Sequence, residues 1–180
     1  MNGAVGLAIS GFAASVGVGL IFMTAGWAKF RHRAILPGIV ANYRILPLSL
    51  VGPAAIALPY IELTTGGALI AGLGRMPALA GVSLLLAFAA AMAVNIRRGR
   101  THIDCGCGLS ALRQPLSWSL VGRNMALAAL LAIRVAPTPP LSEAQILAAA
   151  IGGLALFICY LLFNAIGALS QSSAAAFRRQ

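Results

Sequence analysis

Five apolar runs constrain this chain more than any motif in it. They cover about residues 4–28, 48–74, 76–96, 117–136 and 143–169. A helix rises 1.5 Å per residue, so about 20 apolar residues cross a hydrocarbon core of about 30 Å. Each run supplies roughly that length. Charged residues make up only 9% of the chain, against about 25% in an ordinary soluble domain. The expectation is an all-α membrane protein with about five transmembrane helices in one 180-residue membrane domain. It comprises a four-helix-bundle core plus a short interfacial helix after the first span.

The first run lacks the basic leading segment and the short apolar core of a secretory signal, so it reads as a retained helix. Its small residues Gly6, Ala13, Gly17 and Gly19 permit close helix approach. Residues 29–47 mix Lys29, Arg31, His32, Arg33, Asn42, Tyr43 and Arg44 with Ile35, Leu36, Ile39, Val40 and Leu46, the pattern of a segment lying along the membrane surface. Pro53 and Pro59 remove backbone donors inside the second run and predict a kink. Gly74 and Arg75 make a tight turn into the third. A loop at 97–116 precedes the fourth run. Pro137, Pro139 and Pro140 then stop the helix, and Ser142 is an N-cap for the fifth.

The formal net charge is +10. The basic residues stand between or after the apolar runs, where they meet lipid headgroups, and no aromatic-and-basic recognition motif accompanies them. Nucleic acid is therefore not expected as a partner. Consecutive spans alternate in direction. The segment after span one, the loop after span three and the C-terminal tail must share one side. Lys29, Tyr43 and Arg44 thus lie on the same face as Cys105 and Cys107, here termed the cysteine face. That face also carries Arg31, Arg33, Arg97, Arg98, Arg100, Arg113, Arg178 and Arg179, against Arg75 and Arg134 opposite. Positive charge favours the cytoplasm.

Of the three cysteines, Cys105 and Cys107 are separated only by Gly106. A bridge between them closes a very small ring, which requires the Cα atoms within about 7 Å and the backbone latitude of glycine. A strained disulfide is easily reduced and exchanges readily. Basic surroundings favour the thiolate. Two unreactive surface thiols are the bland alternative. A metal site is another: His102, Asp104, Cys105 and Cys107 are donors that suit Zn²⁺ or Cu(I). A single cluster wrapped so tightly is a weak metal signature, and no metal is assigned.

Glu62 falls near the centre of the second run, where a lone carboxylate is costly and is usually paired or functional. Proton handling beside a redox site and a helix-packing hydrogen bond are both open. Arg123 and Asn124 sit about two turns into the fourth span. Arg123 either snorkels to the cysteine face or pairs with a carboxylate or thiolate. Asn95 and Asn164 are expected to bond across helices. Cys159 lies roughly 15 Å below the cysteine face by helix rise, too far to bridge to the pair, and is expected as a small buried hydrophobe.

The segment Ala93-Val94-Asn95-Ile96-Arg97-Arg98-Gly99-Arg100, then Ile103-Asp104-Cys105-Gly106-Cys107-Gly108, then Gln114-Pro115-Leu116-Ser117-Trp118 and Arg123-Asn124, resembles the methylamine utilisation protein MauE family. So do Gly26-Trp27-Ala28-Lys29-Phe30, Tyr43-Arg44-Ile45-Leu46-Pro47 and Glu62, which also look like the related DoxX membrane proteins. The resemblance covers about residues 15–135. It implies a role in processing, transport or maturation of the disulfide-rich small subunit of methylamine dehydrogenase, with a thioredoxin-like MauD-type protein as partner. The plan is also similar to vitamin K epoxide reductase, an architectural analogy alone.

Together these readings predict the membrane component of a thiol–disulfide exchange system in the inner (cytoplasmic) membrane. Cys105 and Cys107 are the exchanging pair, with Glu62, Arg123, Tyr43, Arg44 and Asp104 as supporting candidates. No sequence feature demonstrates a cofactor; a quinone is an open acceptor. A non-catalytic scaffold for the partner and a metal-handling protein are the alternatives. Charge and partner disagree about the compartment. Work on exported disulfides calls for the pair outside the cytoplasm. A cytoplasmic pair could instead take electrons from thioredoxin and pass them outward, with Cys159 as at most one intermediate thiol. A basic loop packed against the bundle would remove the conflict. Both sides stay open, with the partner favouring the outside.

Overall fold

In the computed structural model the chain is described over residues 3–103 and 115–177, with side chains through 167. Asp104, Cys105, Cys107 and Arg113 lie outside the described residues. Among the described residues six α-helices follow in order: α1 (Gly3–Arg31), α2 (Leu36–Asn42), α3 (Leu48–Ile70), α4 (Arg75–Arg97), α5 (Trp118–Ala132, prolonged by a 3₁₀ turn Ile133–Val135) and α6 (Glu143–Phe177). All but α2 are long and apolar enough to cross a membrane. Helices satisfy their own backbone hydrogen bonds, as hydrocarbon demands. The chain is a multi-pass membrane protein.

The boundaries follow local chemistry. Pro53 and Pro59 both stand inside α3 without ending it. Gly72 (φ 67°) and Gly74 (φ 90°) take left-handed conformations and fold the chain straight back into α4, as the short turn requires. Ser142 starts α6 with a reciprocal cap: its N–H donates to Gln145 Oε1 (3.0 Å), while its Oγ accepts from the Gln145 N–H (3.4 Å). That arrangement satisfies helix-end donors left without intrahelical partners.

α1 is the central helix, packed against both α3 and α6, while α4 packs mainly on α5. Small residues bring these backbones together. A Cβ on Gly66 of α3 would stand 2.8 Å from the Gly19 carbonyl oxygen, and one on Gly153 of α6 would stand 2.7 Å from that of Ala13. Of the small residues predicted to pack, Gly17 and Gly19 do so, whereas Gly6 has open space around it. The core between the helices is apolar, built from Val18, Ile21, Phe22, Leu69, Ala78, Leu85, Leu127, Ala128 and Leu131.

The stagger of α1 against α3 positions the site. Gly26 lies against Pro59, Glu62 and Leu63. Five residues separate Gly26 from the end of α1, but eleven separate Pro59 from the start of α3. The C-terminus of α1 therefore stops short of the N-terminus of α3 by about 9 Å, taking 1.5 Å per residue. α2 packs against α3 beside this step.

Two expectations fail here. Cys159 is exposed on the outer surface of α6, not buried. A transmembrane helix is apolar on its lipid face as well as its packed face, so an apolar neighbourhood in sequence does not imply burial. Asn95 is fully buried but bonds within its own neighbourhood, donating from Nδ2 to the Ala91 carbonyl (3.1 Å) and accepting from Arg100 Nη1 (3.2 Å); it does not bridge helices.

Candidate functional site

The stagger carries Lys29, in the last turn of α1, to the middle of α3. Its Nζ donates to Glu62 Oε1 at 2.7 Å and to Oε2 at 2.8 Å. The Glu62 side chain is 1% exposed and that of Lys29 10%. An isolated charge is expensive in the hydrocarbon region; each residue supplies the other's counter-ion. Lys29 Nζ also stands 5.7 Å from the centroid of the Phe88 ring on α4, within cation–π reach. Lys29 is thus a largely enclosed partner of Glu62 and not part of the interfacial segment to which the sequence assigns it. The available signal was arithmetic: Glu62, Asp104 and Glu143 are the three acidic residues of the chain, so a mid-span carboxylate must find one of very few cations.

This pair lines a cavity of about 300 Å³ reached by all six helices. Ile21, Phe22 and Lys29 come from α1, and Leu58 and Glu62 from α3. Leu85, Phe88 and Met92 come from α4, Arg123 and Asn124 from α5, and Tyr160 from α6. Leu36, Ile39 and Val40 of α2, followed by Tyr43, wall the cavity where α1 falls short. The lining is apolar apart from this small set of polar side chains, which is the usual construction of a ligand pocket.

Arg123 does not snorkel to the surface. It turns sideways to α6, hydrogen-bonds through Nη1 to Asn164 Oδ1 and stacks 4.9 Å from the Tyr160 ring centroid. Asn164 bonds across helices as expected, and it also donates from Nδ2 to the Tyr160 carbonyl (2.8 Å). The Arg123 Nε is buried and has no hydrogen-bond partner. Asn124 is buried and returns Nδ2 to the Leu120 carbonyl (2.9 Å) in its own helix.

Above the cavity stands the stem of the cysteine loop. The Leu116 N–H donates to the carbonyls of Thr101 (2.9 Å) and Ile103 (3.2 Å), so the two ends of segment 104–114 are held together. Ile103 and Leu116 are buried in one apolar cluster with Met92 and Leu120, and Tyr43 and Phe88 pack against it. Met92, Phe88 and Tyr43 also line the cavity. The loop stem and the cavity therefore share a wall.

Of the site residues expected from sequence, Glu62, Arg123 and Tyr43 meet at this cavity. Arg44 does not: its side chain is exposed, and it contributes a left-handed turn (φ 47°) and a carbonyl that accepts from Arg98 Nη1 at 3.2 Å. His102 is exposed beside the stem. The other members of the considered metal set, Asp104, Cys105 and Cys107, lie outside the described residues.

Residues 7–137 match the family model for methylamine utilisation protein MauE. The chain belongs to this family. It is 38% identical to the methylamine utilization protein MauE of Paracoccus denitrificans over 160 residues, covering 87% of this chain and 86% of that protein. It is 36% identical to the Paracoccus versutus protein of the same name over 153 residues, covering 83% and 82%. With that of Methylophilus methylotrophus it shares 42% identity over 118 residues, covering 65% and 60%. No solved structure matches significantly. The MauE match spans α1 to the end of α5 and hence every cavity residue named above except Tyr160 of α6.

Proposed function

We propose that this MauE-family protein is the membrane component of a thiol–disulfide exchange system serving methylamine utilisation. Cys105 and Cys107 cycle between dithiol and disulfide by exchange with a thioredoxin-like MauD-type protein, and the exchange completes disulfides in the methylamine dehydrogenase small subunit. In each transfer a thiolate attacks a disulfide sulfur, forms a mixed disulfide and releases the other sulfur as a thiolate. No electrons are gained or lost by the pair of partners together.

One observation carries the reading: the stem of the Cys105–Cys107 loop is tied closed by Leu116 and anchored by Ile103 and Leu116 on the wall of the Lys29–Glu62 cavity. Closing the base keeps the two ends of the loop together beside the cavity wall. The proposal places this face outside the cytoplasm, in the cytoplasmic membrane, against a positive-inside bias that is weakened where basic side chains are engaged by the protein itself. Lys29 is neutralised by Glu62. Arg98 is bound to the Arg44 carbonyl and Arg100 to Asn95, so both are folded back on the protein.

The test is maturation of the small subunit in cells carrying Cys105→Ser or Cys107→Ser, with membrane levels of the variant matched to wild type. Loss of disulfide completion in both is expected. Full maturation in both overturns the exchange role and leaves a scaffold.

A further inference from the structure

The cavity holds more hydrogen-bond donors than acceptors. Two of the three Lys29 ammonium donors go to Glu62, and their charges cancel. Arg123 remains a cation whose Nη1 is bound to a neutral amide and whose buried Nε has no partner. That Nε is enclosed by protein, so a ligand meets the cation elsewhere: an acceptor in the cavity lies beside the Arg123 and Lys29 side chains, and hydrogen bonds from charged donors are the strong ones. Around these groups the lining is apolar, with Phe22 and Phe88 among its side chains.

The cavity also meets the lipid. α3 and α4 are joined by a tight turn but pack sparingly along their length. Ala87, near the middle of α4, is exposed and also lines the cavity. Ala54 of α3 and Ala91 of α4 keep that side thin. A molecule dissolved in the bilayer has an entrance here without crossing a polar surface.

From these features we infer that the cavity binds the ring of an isoprenoid quinone. The occupant must be lipid-soluble, small-headed and rich in acceptors. A cavity of about 300 Å³ is at the lower end of ordinary ligand sites and suits one substituted ring, not a phospholipid headgroup with two chains. A quinone enters uncharged, and its carbonyl oxygens accept from the Arg123 and Lys29 donors. Negative charge that builds on those oxygens during reduction is stabilised by preorganised cations in a low-dielectric site. Resting on the exchange function proposed above, the electrons come from Cys105 and Cys107. Two S–H bonds break, one S–S bond forms, and two electrons and two protons convert the quinone to quinol. Oxidising equivalents then pass from the membrane pool to the thiol system.

Binding is tested on the delipidated full chain in nanodiscs titrated with decylubiquinone by calorimetry. Saturable one-to-one binding is expected in the wild type. Ala91→Phe and Ala54→Phe, which fill the cavity from different helices, are each expected to weaken it at least tenfold in protein that stays monodisperse. Arg123→Leu is expected to weaken it and Arg123→Lys to restore part of the loss. The inference is overturned if wild type does not saturate, if both filling variants bind normally, or if oleate or phosphatidylglycerol displaces the quinone at equal concentration. The Cys105→Ser/Cys107→Ser double variant is expected to bind as wild type does. Binding retained in that variant separates this inference from the exchange reaction, and absence of binding in a protein whose cysteines still cycle overturns the quinone site alone.

Discussion

Lys29 and Glu62, 33 residues apart, form a two-point ion pair at 2.7 and 2.8 Å inside the bundle. The pair joins the last turn of α1 to the middle of α3 and forms the polar floor of the cavity. Removing one member of a buried pair leaves an uncompensated charge and costs about 3–5 kcal/mol. Glu62→Leu or Lys29→Met alone is expected to destabilise by that amount in thermal unfolding in nanodiscs, and the Lys29→Met/Glu62→Leu double variant to recover most of it. Additive losses in the double variant would contradict the pairing.

Gly26 allows this pair to form. A Cβ there would meet Leu63 Cγ at 3.0 Å, the Pro59 carbonyl oxygen at 3.1 Å and Glu62 Cβ at 3.1 Å. Gly26→Val is expected to force α1 from α3 and to cost about 1–3 kcal/mol, as overpacking does. Gly122→Ala, where a Cβ has open space, is expected to be neutral or to stabilise by up to about 1 kcal/mol through helix propensity. Melting temperatures of the two variants check the contrast.

The spans were legible in sequence because length and apolarity decide membrane crossing, and Glu62 stood out because a carboxylate in hydrocarbon demands a reason. Its partner was not legible. Lys29 looks like one more flanking basic residue, and its depth depends on the stagger of α1 against α3, which close contacts at Gly19, Gly26 and Gly66 determine. The outward face of Cys159 was hidden for a related reason: on a helix apolar all round, hydrophobic periodicity carries no record of which side is packed. Arg123 reads in sequence as a polar residue within a span, but its turn toward Tyr160 and Asn164 depends on the position of α6.

Arg123 is held by two contacts of different kinds, a hydrogen bond to Asn164 and the face of the Tyr160 ring. Tyr160→Leu removes the ring 4.9 Å from the guanidinium and is expected to cost about 0.5–2 kcal/mol. Tyr160→Phe retains the cation–π face and is expected to keep the share of that stability that the ring supplies. A chemical-denaturation comparison distinguishes the two, and equal losses would contradict a ring contribution.

Leu116 anchors the cysteine loop through its buried side chain and its N–H. Leu116→Ala removes side-chain packing against Met92, Ile103 and Leu120 and is expected to cost about 2–5 kcal/mol. The same change is expected to slow exchange between Cys105, Cys107 and a thioredoxin-like partner, measured by mixed-disulfide capture at a temperature where the variant is folded. Exchange at the wild-type rate would show that the stem does not position the pair.

On the proposed function, Cys105 and Cys107 cycle on the outer side of the cytoplasmic membrane. Labelling intact cells with a membrane-impermeant maleimide, with and without prior reduction, reads sidedness and redox state together. The expected result is labelling from outside that rises after reduction, with both oxidised and reduced pools present in growing cells. Labelling confined to broken cells, or thiols that never oxidise, would contradict the claim.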